Sequence, residues 1–388
     1  VNPKPSIVIV GGGIGGLSAG LGLARAGYSV DIFEAAPAWA DIGAGVTLAP
    51  NAMKGFQYLG VGEAVAKAGV EPKAQTIRHW QDNRLLFQFE RGDEARQKYG
   101  APYVYIHRAD LHAILVKAAQ DAGARLHIGR RVESVSPVEG GAELVLEDGE
   151  TFRADLLIGA DGVKSVVRKL FEEAKPHFTG HVCYRALIPV TPAVEDLAKN
   201  PGMHIGPSRM MVRYPVRNSE ILNLVFFIRQ AGWEDDGWTI PATKAELSTA
   251  FEGWCPDIHT MIAQVDESRL YKWAINARKP LETWRLGDHI TLLGDAAHAM
   301  TPFMGQGAAA GIEDAVVLVR ALDAASSLDE ALTRYEKARH ERASFIQLES
   351  NANADRMQGQ ETDTFGLGGL KNEETLGLFD YDPATVEI

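Results

Sequence analysis

The sequence predicts an α/β fold: a parallel, nucleotide-binding sheet interrupted by a separate antiparallel layer and closed by C-terminal helices. Three observations carry that expectation. An apolar strand at Ser6–Val10 runs into Gly11-Gly12-Gly13-Ile14-Gly15-Gly16; a second run, Leu156-Leu157-Ile158, meets Gly159-Ala160-Asp161-Gly162; a third, at 290–293, meets Gly294-Asp295. Three remote segments therefore supply the pieces of one nucleotide site.

Taken in order, residues 6–10, 14–26 and 29–33 read as strand, helix and strand. Glu34 closes the second strand, eighteen residues after Gly16, where a carboxylate can accept from a ribose diol, so a βαβ unit of Rossmann type is complete. Residues 51–68 carry a helical pattern, and 111–122 form an amphipathic helix introduced by Arg108-Ala109-Asp110. Short strands at 125–128, 132–137 and 142–146 make a small meander. From 177 to 273 alternating strands dominate and no glycine-rich turn occurs, the mark of a separate sheet layer. Within it, 210–216 and 221–228 form a hairpin around Arg217-Asn218-Ser219-Glu220. The chain then returns to the first fold with a strand at 290–293, a helix at 307–322 and a long charged helix at 328–350. These limits divide the chain into a discontinuous nucleotide-binding domain (1–75, 100–176 and 274–357), a substrate-binding sheet layer (76–99 and 177–273) and an irregular tail (358–388).

Composition narrows the function classes. The balance is 39 Lys+Arg against 51 Asp+Glu, a formal charge of -12 spread along the chain, which disfavours a nucleic-acid partner. No apolar run reaches the roughly 18–20 residues that a bilayer span needs, so no membrane association is expected. The first apolar run passes straight into glycines, so no signal peptide is expected and a cytoplasmic location is. The two cysteines, Cys183 and Cys255, fit neither a disulfide framework nor a zinc site. The histidines lack metal-ligand spacing, and no metal is expected.

The glycines have separable tasks. Gly11 permits a tight turn, Gly13 lets backbone N–H groups approach a pyrophosphate, and Gly16 lets helix and strand pack closely, with the helix N-terminus placing partial positive charge under the phosphates. Gly294-Asp295 precedes a helix whose approach carries Pro302 and Gly305-Gln306-Gly307-Ala308. Asp295 can accept from a polyol hydroxyl, or else simply cap a helix, while the helix start offers N–H donors to an electron-accepting ring.

Together these segments resemble the single-component class A flavoprotein aromatic hydroxylases over residues 6–350, within them most closely the salicylate hydroxylase, 3-hydroxybenzoate 6-hydroxylase and 6-hydroxynicotinate 3-monooxygenase group. The resemblance implies a Rossmann-like FAD-binding fold of the p-hydroxybenzoate-hydroxylase type. By it, Gly11, Gly13, Ile14, Gly15, Gly16 and Glu34 hold the ADP half of a non-covalent FAD, and Asp295 the ribityl chain. Arg108 is the arginine near the cofactor; Gly43-Ala44-Gly45-Val46 is the loop beside the isoalloxazine; Pro302 with Gly305 to Ala308 binds the ring. Asp161 and Arg168 match the family's dual FAD and NAD(P)H motif. The implied reaction uses NAD(P)H and O2 and proceeds through a flavin C4a-hydroperoxide, hydroxylating a small aromatic or heteroaromatic acid with or without loss of its carboxyl group. No side chain is expected to be catalytic in its own right. The sequence departs from the group at Ala35, where many relatives carry Arg, and at Thr47 and Phe303, where the nicotinate enzyme has histidines.

Substrate contacts are expected on the hairpin. Arg209, Met211 and Arg213 alternate on one strand, and the 217–220 turn places Phe226 on the same face, so two cations would stand beside an apolar surface and suit an aromatic carboxylate. Solvent-facing arginines on an amphipathic strand are the plainer reading of the same pattern. Tyr105, Thr47 and Phe303 complete the candidates. A flavoprotein oxidase or reductase without oxygen insertion is the alternative function, and a fold retained only for binding the third; a monomer or homodimer is expected.

Overall fold

A computed structural model describes residues 4–39, 44–233, 237 and 239–388. Its organising element is a six-stranded sheet in which Ser6–Val10 lies between Leu156–Gly159 and Ser29–Glu34, with Arg125–Ile128 at one edge and Ile290–Leu292 followed by Arg285–Leu286 at the other. Ile7, Val8, Ile9 and Val10 are all buried, as a parallel strand covered on both faces must be. The register matters most. Val10 pairs with both Gly159 and Phe33, and Gly159 pairs with Leu292. Parallel strands in register end together, so Gly11, Glu34, Ala160 and Leu293 all leave the sheet at one carboxyl edge, where open α/β sheets bind ligands.

Small residues let the helices close on that sheet. A Cβ at Gly22 would stand 2.7 Å from Val319, so the Ile14–Arg25 and Gly307–Ala324 helices approach more closely than larger side chains would allow. The meander forms a three-stranded sheet of Val132–Val138, Gly141–Leu146 and Thr151–Ala154.

The second layer is an eight-stranded sheet running Ile240–Pro241, Tyr271–Ala277, His177–Pro189, Ile221–Arg229, Arg209–Val216, Gly202–Gly206, Ala74–His79 and Leu85–Glu90. Strand alternation divides its side chains. Val182, Met211, Leu224 and Phe226 pack with Phe251, Trp254 and Ile258 of the segment carrying the Lys244–Ala250 and Pro256–Ala263 helices. On the opposite face Ile77, Cys183, Met210, Val225 and Phe227 meet Phe303 and Met357. That second face looks toward the nucleotide-binding part. The Ala74–His79 and Tyr271–Ala277 strands cross the domain limits expected at 75/76 and 273/274.

Two helices differ from expectation. The 51–68 pattern is two helices, Pro50–Tyr58 and Gly62–Ala68, because Gly60 takes a left-handed φ of +70° and ends the first. The last helix runs on to Met357 rather than stopping near 350. Its extension contains Asn351 and Asn353, weak helix formers held by tertiary bonds: Thr301 N–H donates to Asn351 at 3.1 Å and Asn353 donates to the Phe303 carbonyl at 2.8 Å. Beyond it the tail has no α-helix or strand, yet Leu378 and Phe379 are buried beside Tyr99 and Tyr103. Among the described residues no helix is long and apolar enough to cross a membrane.

Candidate functional site

At the carboxyl edge the glycines of the first turn divide into packing and open positions. A Cβ on Gly11, whose φ is +108°, would stand 2.3 Å from the Ala160 carbonyl oxygen, and one on Gly16 2.0 Å from the Gly11 carbonyl oxygen. Gly15 packs likewise against Leu293, at 2.9 Å. Gly13 differs: a Cβ there meets nothing within 4 Å. Gly13 is also the N-cap of the helix that begins at Ile14, and no side chain caps it. The first-turn N–H groups of a helix lack intrahelical partners, so an open, uncapped and dipole-positive helix start faces free space.

Glu34 lies across that start, accepting from Gly12 N–H and Ala36 N–H, each at 2.8 Å. His112 bonds the Gly12 carbonyl at 2.7 Å and its ring lies 4.7 Å from that of Trp39, two neighbours that sequence reasoning missed because nothing in their local pattern marks them. Burial and the nearby Arg108 hold the His112 imidazole below its ordinary pKa.

Asp161 and Arg168 sit together at the second turn without pairing. Asp161 accepts from Ser165 and from Val166 N–H, capping the Val167–Leu170 turn. Arg168 is fully buried and donates to the Ala296, Ala297 and Lys279 carbonyls at 3.1, 2.7 and 3.0 Å and to Glu172 at 3.0 Å. Its guanidinium therefore struts the second turn to the third, and does not stand in the open as a cation for a dinucleotide. Four acceptors around a planar fork explain why: Arg is the side chain that satisfies several carbonyls at once.

The third turn faces a cavity of about 340 Å³ lined by residues from both layers. Asp295 is exposed there at the first position of the Asp295–His298 helix, and a Cβ on Gly307 would come within 3.9 Å of its carboxylate. Gly305, with φ of +63°, approaches Thr47, and Gly45 approaches Tyr214; a Cβ on either would stand 2.7 or 2.3 Å from that neighbour. Val46, Pro302 and Ala308 also line the cavity, while Gln306 is buried beneath it, accepting from Asn51 at 2.9 Å. Gly43 falls outside the described residues.

The hairpin residues require a correction. The register is as expected, Met211 opposite Phe226, Arg213 opposite Leu224 and Arg209 opposite Ile228. The face is not. Met211 and Phe226 point into the helix-backed cluster, where Phe226 stands edge-on to Phe251 at 5.2 Å. Arg209 is not among the lining residues. Arg213 contributes to the wall, but its guanidinium bonds His204 at 3.2 Å and the Asn200 carbonyl at 2.9 Å; burial, with Arg78 nearby, pushes its pKa down to about 10. The cavity is faced instead by Met210, Val212, Tyr214, Val225 and Phe227. Both faces of this hairpin are apolar, so alternation identifies two faces without saying which is covered by what.

Tyr105, Thr47 and Phe303 do line the cavity. Tyr105 stacks on Tyr214 at 4.6 Å, and its hydroxyl lies 2.5 Å from Gln75; Phe303 packs against Phe227 at 5.1 Å. The other cations that line the cavity are Arg108 and Arg185. Arg185, missed in the sequence, pairs in register with Val225, lies 5.2 Å over Trp273 and leaves its buried Nε without a partner. Only the strand pairing reveals that its parity matches the cavity face. Arg108 heads the Arg108–Asp121 helix, where a cation opposes the macrodipole. Its guanidinium is open to the cavity but ringed by protein, so burial and then Arg185 lower its pKa, with Asp295 opposing. His298, by contrast, is buried against Asp314 at 2.5 Å. Among the described residues no cluster of His, Cys, Asp or Glu could hold a metal ion.

Comparison with known proteins gives a consistent picture. A protein-family model described as FAD binding domain matches residues 4–349. The chain is 37% identical over 348 residues to 3-hydroxybenzoate 6-hydroxylase of Polaromonas naphthalenivorans, covering 89% of this chain and 86% of that one. It is 36% identical over 358 residues to 6-hydroxynicotinate 3-monooxygenase of Bordetella bronchiseptica, covering 90% and 91%. Among solved structures, Klebsiella pneumoniae HpxO complexed with FAD and uric acid superposes with a TM-score of 0.85 at 26% identity, covering 97% and 96% of the two chains. A salicylate hydroxylase substrate complex gives 0.84 at 27%, covering 99% and 97%.

Proposed function

The chain belongs to the FAD-binding-domain family and is an FAD-dependent aromatic monooxygenase, and on that premise we propose that it hydroxylates a small aromatic or heteroaromatic acid at the expense of NAD(P)H and O2. The observation that carries the substrate class is the pair Arg108 and Arg185, two cations facing one cavity lined largely by Tyr, Phe, Met and Val side chains, the third lining arginine, Arg213, being committed to His204 and Asn200.

The residues present fit FAD. On this reading the open, uncapped start at Gly13 and Ile14 would take a pyrophosphate, Glu34, at the end of the second strand, a ribose, and Asp295 the ribityl hydroxyls, which their geometry supports. Gly45, Val46 and Pro302 with Gly305 to Ala308 border the space left for the ring. When bound, FAD accepts a hydride from NAD(P)H and activates O2 for transfer of one oxygen atom to the substrate.

What the protein itself does is bind, orient and exclude water. Arg185 can offer a carboxylate a bidentate, charge-assisted contact. Its place over Trp273 steadies the planar group, and its buried Nε, without a partner, is available as a donor. Met210, Phe227 and Phe303 wall the cavity with carbon, which strengthens each polar contact made inside it. Tyr105 and Tyr214, stacked, present a flat surface that matches an aromatic ring.

The test is a screen of hydroxybenzoates, hydroxypyridine carboxylates and fused heteroaromatic acids for stimulated NAD(P)H oxidation by the FAD-loaded protein, with product mass measured under ¹⁸O₂. A product heavier by one labelled oxygen is expected. Stimulated oxidation whose oxygen all appears as hydrogen peroxide with every acid would support an oxidase instead.

A further inference from the structure

We propose that Glu373, from the C-terminal tail, is a substrate-binding residue that selects rings bearing a hydrogen-bond donor, such as a hydroxyl, an amine or a ring N–H, at the end of the cavity away from Arg108 and Arg185. The inference rests on the aromatic-acid reading above and adds the second half of the recognition.

The tail is irregular, but its backbone is fixed at this point. Asn372 and Thr375 close a turn on each other, with the Thr375 N–H donating to the Asn372 side chain and the Asn372 N–H to the Thr375 hydroxyl, both at 2.9 Å. Leu378 N–H bonds the Glu373 carbonyl at 3.0 Å. The next residue, Glu374, is held by Arg91 at 2.9 Å, Tyr99 at 2.7 Å and Lys98 at 3.2 Å. The two adjacent acids are thus treated differently. Glu374 is held by three side chains, whereas Glu373 lines the cavity and, among the described residues, takes no side-chain donor.

Glu373 is half-buried in the cavity wall, and a carboxylate partly withdrawn from water that no other side chain donates to gains from a ligand that brings a donor. Burial raises the Glu373 pKa, opposed by its own N–H and by Arg91, with Glu374 adding to the rise. The position within the cavity follows from the tyrosine row. Arg185 pairs with Val225, which pairs in turn with Val212, two residues from Tyr214, whereas Glu374, next to Glu373, bonds Arg91, whose guanidinium lies 5.2 Å from the Tyr103 ring; the Tyr214, Tyr105 and Tyr103 rings are spaced 4.6 and 5.6 Å apart between these two ends. An anionic group on one side of a ring and a donor on another would therefore be read from opposite ends of that row.

Dissociation constants measured by flavin fluorescence on the FAD-loaded protein test this, with benzoate, 3-hydroxybenzoate and 3-aminobenzoate as the probes. Replacing a charged acceptor by a carbon side chain, Glu373→Leu, should weaken the hydroxy and amino ligands by about tenfold or more while benzoate binds as well as before or better. Glu373→Gln, nearly the same size and still an acceptor, should fall between and guards against misfolding of the first variant. Equal shifts for all three ligands, or none, in both variants would overturn the proposal while leaving the aromatic-acid reading intact. Failure of the unaltered protein to bind any of the three, or any acid of the screen above, would overturn that reading, and the role of Glu373 with it.

Discussion

At the scale of single residues, the glycine turn and the two kinds of arginine give the sharpest contrasts. Gly11 and Gly13 look alike in sequence but differ physically, one locked by φ of +108° against Ala160, the other in extended backbone with open space beside it. Gly11→Ala is therefore expected to destabilise the protein by at least about 2 kcal/mol, the left-handed cost alone being about 1–2. Gly13→Ala should fold with an unchanged thermal midpoint and lose about 1–3 kcal/mol of FAD affinity as N–H contacts are crowded out. Melting curves of the FAD-free variants and FAD titrations separate the two; a Gly13→Ala protein with undiminished FAD affinity would remove the pyrophosphate from this spot. Among the cations, Arg185→Ala should weaken an aromatic acid by about 1.5–3 kcal/mol. Arg213→Met should leave that affinity unchanged, since its guanidinium is committed to His204 and Asn200. A loss with Arg213→Met and none with Arg185→Ala would restore the clamp that the sequence suggested.

At the scale of elements, the Gly307–Ala324 and Leu328–Met357 helices are joined by charges that the sequence presents as ordinary amphipathic decoration. Glu313, Asp314 and Arg339 are completely buried, with Arg339 forming an ion pair with Glu313 at 2.6 Å and donating to Asp314 at 2.8 Å. Asp314 also accepts from Gly294 N–H at 2.9 Å, and Asn51 links Glu313 to Gln306, so the network holds both loops that border the cavity. Burial pushes the Asp314 carboxyl up, but His298 and Arg339 outweigh it and hold the pKa at about 2, against an ordinary value of 3.8. A depressed carboxylate stabilises the fold in full above the unfolded value and loses that contribution as pH falls from 3.8 toward 2. Asp314→Asn, which leaves Arg339 and His298 short of a charge, should cost about 3–5 kcal/mol near neutrality and show a shallower loss of stability in that acid window. Urea unfolding at pH 6 and pH 3 measures both; equal slopes for the two proteins would contradict the role given to the pair. Legibility divides here for a physical reason. Strand, turn and hairpin register are local, and Arg217 to Glu220 set the pairing as expected. Which charge or which face turns inward depends on what packs against it, and neither the burial of Arg339 nor the parity of Arg185 is written in its neighbours.

At the scale of the whole molecule, the cavity exists only where the carboxyl edge of one sheet, the apolar face of another and the tail meet. Three glycine turns announced the first, because a parallel sheet in register brings remote turns to one edge. The second was legible as a layer but not as a face. The tail carried only weak periodicity, although Phe379 is fully buried, Arg342 lies 3.8 Å from the Tyr381 ring centroid, and Arg320 donates to the Pro383 carbonyl at 2.8 Å. Side chains of the body thus fasten an irregular chain by its carbonyls and rings, an arrangement set by tertiary packing rather than by local preference. Its removal should separate cofactor binding from coupling. Deleting residues 372–388 takes away Glu373 and the Phe379 packing but none of the residues assigned to FAD, so the truncated protein should remain yellow with a lowered melting point. With the cavity opened to water, its NAD(P)H oxidation should no longer respond to an aromatic acid that stimulates the full chain, and the oxygen consumed should appear as hydrogen peroxide. Full-length coupling of NAD(P)H to product in the truncated protein would show that the wall contributed by the tail is dispensable.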